Sequence, residues 1–309
     1  MDLKSKLLDP AETIRLYGTT PPRLGTPEVQ VRSAAEKLAA RIAPLPLDGV
    51  VVYDIQDETG RTQLARPFPF AGTVEPRSYA RLLASRTGKP AITYKSLGML
   101  TETEWRAWLA ESRSSFDIDF LSIVGRPTSG IRYPLPLSRA IRIAAEPATG
   151  LTVGGVAIAE RHTEARSESA RLLAKGIEGC GYFISQTVYQ AAATERLLRD
   201  YLRDCRGAGV QPRRIVLSFA PAGRERTLAF LRWLGVDVPE PTARAILGAP
   251  SPLARSIEIC RDNLRRILDQ PYFGQVPLGI NIESVSINRD EIDASVDLFH
   301  TLQEFLPQA

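Results

Sequence analysis

Short apolar runs alternate along this chain with longer stretches whose apolar residues recur every three or four positions. The longer stretches carry the signature of helices with one buried face. From 28 to 42, for example, Val31, Ala34, Ala35, Leu38 and Ile42 fall on one side of a helix. Thr26-Pro27-Glu28 opens it, with proline at the first helical position. The apolar runs lie near 14–20, 49–55, 91–94, 118–124, 151–158, 182–186, 214–219 and 277–287. They lack the alternation of a half-exposed sheet, as expected of parallel strands buried on both faces.

Helical segments near 76–86, 102–113, 136–147, 164–178, 190–206 and 223–234 separate these runs. Residues 1–13 read as a leader that packs on the outside or frays. An extra helical stretch at 241–270, with Ser251-Pro252 as its clearest start, precedes the last run. Asn288 with Glu291 three residues on is a capping-box pattern that opens a final helix. Eight strand candidates, each followed by a helix, predict an α/β fold: a single (β/α)8 TIM barrel over 1–309, with a helical insertion between strands 7 and 8. No glycine-rich phosphate loop follows any strand, and Gly154-Gly155 lies inside one.

In such a barrel the active site collects where strands run out. The stretch Gly179-Cys180-Gly181-Tyr182-Phe183-Ile184-Ser185-Gln186 ends on a lone amide, a group with two donors and an acceptor for a heterocycle. Its plain alternative is a glutamine that opens a loop. The other strand-end groups are Thr19 and Thr20, Asp54, Lys95, Arg126, Glu160 with His162, the loop at Pro221, and Asn288 with Arg289. An acid, several cations and an amide suit an anionic heterocyclic substrate and proton delivery. Each has a structural reading beside that one: Asp54 as a loop cap, Lys95 and Arg126 as rim charges, His162 as the anchor of its helix, Asn288 as a helix cap. Arg289 is a cation in the first turn of a helix, an unfavourable place that an anion would relieve.

Composition narrows the field. With 44% hydrophobic and 24% charged residues, the 309-residue chain is that of a soluble globular protein. Its net charge of +4 is spread along the chain without a dense basic block, so nucleic acid is not an expected partner. Three dispersed cysteines and two histidines, without ligand spacing, predict buried thiols, a reducing compartment and no metal. No run is long enough for a membrane span and the amino terminus has no signal-like apolar region, so a cytoplasmic protein is expected.

Several motifs together resemble the methylenetetrahydrofolate reductase family, most clearly from residue 118 onward. Pro21-Pro22-Arg23 resembles the proline pair and basic residue after that family's first strand. His162-Thr163-Glu164-Ala165 resembles its His-Pro-Glu-Ala. Gly179 to Gln186 resembles the segment whose glutamine contacts the pterin, and Ile287-Asn288-Arg289 its Leu-Asn-Arg. The resemblance implies a folate substrate bound by Gln186, Asn288 and Arg289, and a nicotinamide nucleotide as reductant.

The departures imply more. The family's first-strand glutamate, its proton donor, falls at Gly18. Its Arg-Gly-Asp after strand four reads Val124-Gly125-Arg126, and its flavin-contacting fifth helix reads Arg171-Leu172-Leu173-Ala174 and is about one turn shorter. Its strand-seven phenylalanine falls near Arg224-Glu225. A divergent, flavin-independent branch fits these changes: FAD absent, with hydride passing from NADH (or NADPH) to the folate. Lys95, Arg126 and His162 are then the candidate cofactor contacts, and Asp54 the replacement acid. A flavin-dependent reductase, a folate methyltransferase or demethylase module, and a non-catalytic folate-binding barrel are the alternatives.

Overall fold

The computed structural model describes residues 2–56, 62–125, 133–272 and 274–306. In chain order the first half runs α1 (Leu3–Leu8), β1 (Arg15–Thr19), α2 (Glu28–Ile42), β2 (Gly49–Val52), α3 (Pro76–Thr87), β3 (Ala91–Ser96), α4 (Glu102–Phe116), β4 (Phe120–Val124) and α5 (Leu137–Ala144). The second half runs β5 (Thr152–Ala157), α6 (Glu168–Glu178), β6 (Tyr182–Thr187), α7 (Ala191–Gly207), β7 (Arg214–Phe219), α8 (Glu225–Trp233), α9 (Glu240–Leu247), α10 (Pro252–Leu268), β8 (Leu278–Glu283) and α11 (Arg289–Gln303). The strands close into a parallel barrel in sequence order, β8 returning to β1. This is a (β/α)8 TIM barrel, with α9 and α10 inserted before β8.

Alternate strand residues face two cores. The outward set, with Leu121, Phe183 and Leu217, packs under the helices. The inward set, with Leu16, Val51, Ile92, Phe120, Tyr182 and Val216, fills the barrel. Leu3 and Leu7 of α1 join that inner cluster. The leader is therefore a plug rather than a peripheral arm: it covers the amino-terminal end of the barrel, where the buried Arg214 donates to the carbonyls of Leu7, Asp9 and Leu278. Burial pulls the Arg214 guanidinium down to about 10.

Two strands stop earlier than their apolar runs. β2 ends at Val52 because the Asp54 carboxylate takes the Ser96 N–H at 2.8 Å, and a side chain replaces the ladder. β8 ends at Glu283 because the Ser284 hydroxyl donates to the Ser286 carbonyl and accepts the Ser286 N–H, turning the chain off the sheet. α6 starts at Glu168 rather than 164, behind Ser167, whose hydroxyl accepts the Ala170 N–H. The capping box expected at Asn288 does not form. Asn288 Nδ2 instead donates to Glu291 Oε2 at 3.0 Å, while Glu291 Oε1 accepts the Gly223 N–H from the β7–α8 loop.

β6 carries the other irregularity. Ile184 pairs with Val216 and Thr187 with Ser218, so Ser185 and Gln186 together oppose Leu217. Such a bulge turns consecutive side chains toward one region. Here both Gln186 and Thr187 reach the barrel mouth. Among the described residues no helix is long and apolar enough to cross a membrane, and all three cysteines are buried free thiols.

Gly154 is a glycine the barrel interior requires. It pairs with Tyr182, whose ring fills the space a Cβ at 154 would occupy. Gly154→Val should cost about 2–3 kcal/mol by overpacking, read as a lowered thermal midpoint. Gly207→Ala, at the open end of α7 with nothing near its Cβ, should stay within about 0.5 kcal/mol of wild type.

Candidate functional site

The carboxyl ends of the strands surround a cavity of about 1250 Å³. Its floor is built by the last inward residues of β1, β2, β3 and β8. Gly18 pairs in register with Glu283 across the β1–β8 seam. A Cβ at Gly18 would lie 2.7 Å from the Tyr53 hydroxyl and 3.2 Å from Asn281 Nδ2. Position 18 is bare because its neighbours occupy the room.

Those neighbours converge on one carboxylate. Asn281 Nδ2 donates to the Tyr53 hydroxyl at 2.9 Å, and that hydroxyl in turn bonds Glu283. Thr187 Oγ1 donates to Glu283 Oε1 at 2.9 Å. Tyr94 stands edge-on to Tyr53, ring centroids 4.8 Å apart. Loss of water pushes the Glu283 carboxyl above its usual range, and the Tyr53 and Thr187 bonds oppose that shift. Burial beside Glu283 raises Tyr53 as well, well above the ordinary tyrosine value.

One wall is aromatic. Phe230 stacks on Trp233 and meets Phe68 edge-on, and the Arg66 guanidinium lies 4.6 Å over the Trp233 ring. Residues 66–68 come from the long β2–α3 connection and the other two from α8, so this wall joins both sides of the mouth. Gln186 stands beside it. Its Nε2 donates to the Leu234 carbonyl at 2.7 Å, which fixes the amide with its oxygen available to a ligand.

The opposite wall is basic. Arg161, Arg166, Arg171 and Lys175 line the cavity around the first turns of α6. Glu168, 1% exposed, sits among them, 3.5 Å from Arg171 Nε and 3.9 Å from Lys175 Nζ. Lys175 also donates to the Val156 carbonyl at 2.8 Å, and burial lowers its ammonium while Glu168 opposes. This surface offers a carboxylate or phosphate several donors.

Of the residues singled out in the sequence, Gln186, Asp54 and Asn288 line the cavity. Asp54 is held by its neighbours, with Oδ1 accepting from Gln56 and Oδ2 from Ser96. Asn288 Nδ2 is shared between Ser286 and Glu291. Three residues lie elsewhere. Lys95 follows the inward Tyr94 and so points outward, 5.2 Å over the Trp108 ring of α4. His162 accepts the Glu168 N–H through Nδ1 and meets Asp200 Oδ2 through Nε2 at 2.9 Å, tying α6 to α7. Arg289 is 90% exposed and faces Asp293 one turn along α11, which answers the anion its helix position calls for. Arg126 lies outside the described residues.

Glu283, Tyr53 and the α6 cations were not anticipated. The signal for Glu283 was present, as the first carboxylate to interrupt the apolar run Leu278-Gly279-Ile280-Asn281-Ile282. Extending that strand to 287 hid it. Among the described residues no cluster of three or more His, Cys, Asp or Glu is placed to hold a metal ion.

No protein-family model matches the chain, and no curated protein matches it. Solved structures do. An uncharacterized protein from Clostridium thermocellum that binds two copies of 5-methyl-5,6,7,8-tetrahydrofolic acid is 30% identical over 98% of this chain and 100% of that one, with a TM-score of 0.84. The chain belongs to the family of this clostridial protein. The apo structure of MsnO8, 15% identical over 96% of this chain and 99% of that one with a TM-score of 0.54, shares the fold.

The two roles weighed for His162 separate cleanly. His162→Ala should lower stability by about 1–2 kcal/mol through the lost α6–α7 tie, seen in thermal melts. Affinity for 5-methyltetrahydrofolate, measured by calorimetry on the folded variant, should stay within about twofold, since the imidazole is off the cavity.

Proposed function

We propose that this protein reduces 5,10-methylenetetrahydrofolate to 5-methyltetrahydrofolate, taking hydride directly from NADH without a flavin. The observation that carries this reading is the family relationship to a barrel that binds 5-methyltetrahydrofolate, the product of that reaction. The cavity is the natural seat for such a ligand. Gln186 presents an amide edge to the pterin, and the aromatic wall of Phe230 and Trp233 offers a face for a planar ring.

Hydride transfer needs donor and acceptor in one chamber with water excluded. Sites for single drug-sized ligands span about 300–1,000 Å³, and this cavity is larger, at about 1250 Å³. That volume is what supports room for a folate and a second extended molecule together. The α6 cations suit the pyrophosphate of a nicotinamide dinucleotide or the glutamate tail of the folate.

The flavin-free reading rests on the same helix. Where the reductase family resembled above has polar flavin contacts, α6 presents Leu172 to the hydrophobic core, Leu173 packed against it, and Arg171 beside Glu168. A flavin needs its ring, ribityl and phosphate groups held by specific partners, and two of these positions have passed to packing.

The test is NADH oxidation dependent on methylenetetrahydrofolate, run also with NADPH and with added FAD. Turnover by colourless protein, unchanged by FAD, is expected, and a stoichiometric yellow cofactor required for activity would overturn the flavin-free reading. Gln186→Ala should weaken 5-methyltetrahydrofolate binding roughly tenfold, about 1.4 kcal/mol, without lowering the melting temperature. Tight folate binding with no turnover on either nucleotide would favour a non-catalytic folate-binding barrel.

A further inference from the structure

We propose that Glu283 is the acid of this site and delivers the proton to the folate nitrogen that leaves the methylene carbon. The proposal rests on the reductase reading given above. Reduction of the bridged folate requires its five-membered ring to open. The bond from the methylene carbon to the anilinic nitrogen breaks, the electron pair stays on that nitrogen, and the nitrogen takes a proton. The methylene carbon is left as an iminium on the pterin nitrogen. Hydride from NADH then forms the third C–H bond of the methyl group, and NADH leaves as NAD⁺. The Glu283 carboxylate recovers its proton from water at the open end of the cavity, so each turnover consumes one NADH and one proton.

The geometry favours Glu283 over the other acids of the mouth. It lies on the cavity floor at the end of β8, directly across the seam from Gly18. Its oxygens meet two hydroxyl groups, from Tyr53 and Thr187, and among the described residues no salt bridge reaches it. A carboxyl so placed is desolvated yet not salt-bridged, the setting in which an acid keeps its proton near neutral pH. Glu168 lies beside Arg171 and Lys175, which engage it in ion pairs. Asp54 spends both oxygens on Gln56 and Ser96. Among the described residues the titratable side chains that face Glu283 are tyrosines, Tyr53 on the β2 end and Tyr94 on β3, while Tyr17 on β1 points to the outer layer and bonds Ser295 of α11. Burial raises the Glu283 carboxyl above the ordinary carboxylate range, so activity should fall as pH rises through its titration.

The experiment is the pH profile of kcat for NADH oxidation at saturating methylenetetrahydrofolate, in the wild-type protein and four variants. Glu283→Gln should lose about 10²–10³-fold in kcat while binding 5-methyltetrahydrofolate within threefold of wild type. Glu283→Asp, which keeps a carboxyl, should recover part of the rate and the alkaline limb. Tyr53→Phe removes a donor that favours the carboxylate, so the limb should move to higher pH, a shift that a merely structural tyrosine would not produce. Should Glu283→Gln fail to fold, Tyr53→Phe carries the test alone. Wild-type turnover with Glu283→Gln within threefold in kcat, or with the limb unmoved in Tyr53→Phe, overturns this proposal and leaves the reductase reading standing. Loss of the limb in Asp54→Asn with its retention in Glu283→Gln would reassign the acid to Asp54. Absence of turnover in wild type with either nucleotide overturns both.

Discussion

Closure of the barrel between β1 and β8 is the constraint on which the site depends. Parallel strands admit few registers once both faces are buried, because a one-residue slip turns every inward side chain outward. The register observed sets Leu16 against Asn281 and Gly18 against Glu283. Below the seam, Gly279 has no room for a side chain because Ile14 fills it. Further down, α1 and Arg214 seal the end of the barrel. At the top the same register brings Tyr53, Asn281 and Glu283 together over a glycine. The plug and the floor of the cavity are thus two ends of one packing solution.

The architecture was legible because it rests on two simple periodicities. Apolar runs without alternation marked strands buried on both faces, and three-to-four spacing marked the helices that cover them. Both signals average over many residues and tolerate local error. What the pattern misjudged were the places where a side chain competes with the backbone. Asp54 captures the Ser96 N–H, Ser284 and Ser286 bind each other, and Asn288 pairs with the Glu291 side chain. The first two decide where a strand stops and the third how a helix begins, and none depends on hydrophobicity.

The site was legible only as far as strand parity could be guessed. Gln186 reaches the mouth, but by way of a bulge that also admits Thr187. Lys95 follows an inward Tyr94, and a single step along the strand sends it to the outer layer. Reading strand ends as a list of polar residues therefore mixed inward and outward positions. Glu283 failed to register for the related reason that its strand was drawn four residues too long. Had the run been closed at its first charge, the acid opposite Gly18 would have stood out. The basic wall on α6 was hidden differently, since helix cations ordinarily read as solvated, and only the fold turns this set toward a cavity.

A buried carboxyl is a poor choice for stability alone. Taking its charge out of water costs several kcal/mol unless a cation or a full set of donors compensates, and among the described residues Glu283 has two hydroxyl partners and no salt bridge. A glutamine or a leucine would fill the same place on β8 with less penalty. The hydroxyls around it are themselves ordered at a cost: Tyr53 is desolvated beside an acid, and Asn281 keeps a buried Oδ1 without a partner among the described residues. Local compromises of this kind cluster where chemistry is done. A glycine on β1 is what gives Tyr53 its room, so the bare position on the first strand and the buried carboxyl on the last are parts of one packing arrangement across the seam.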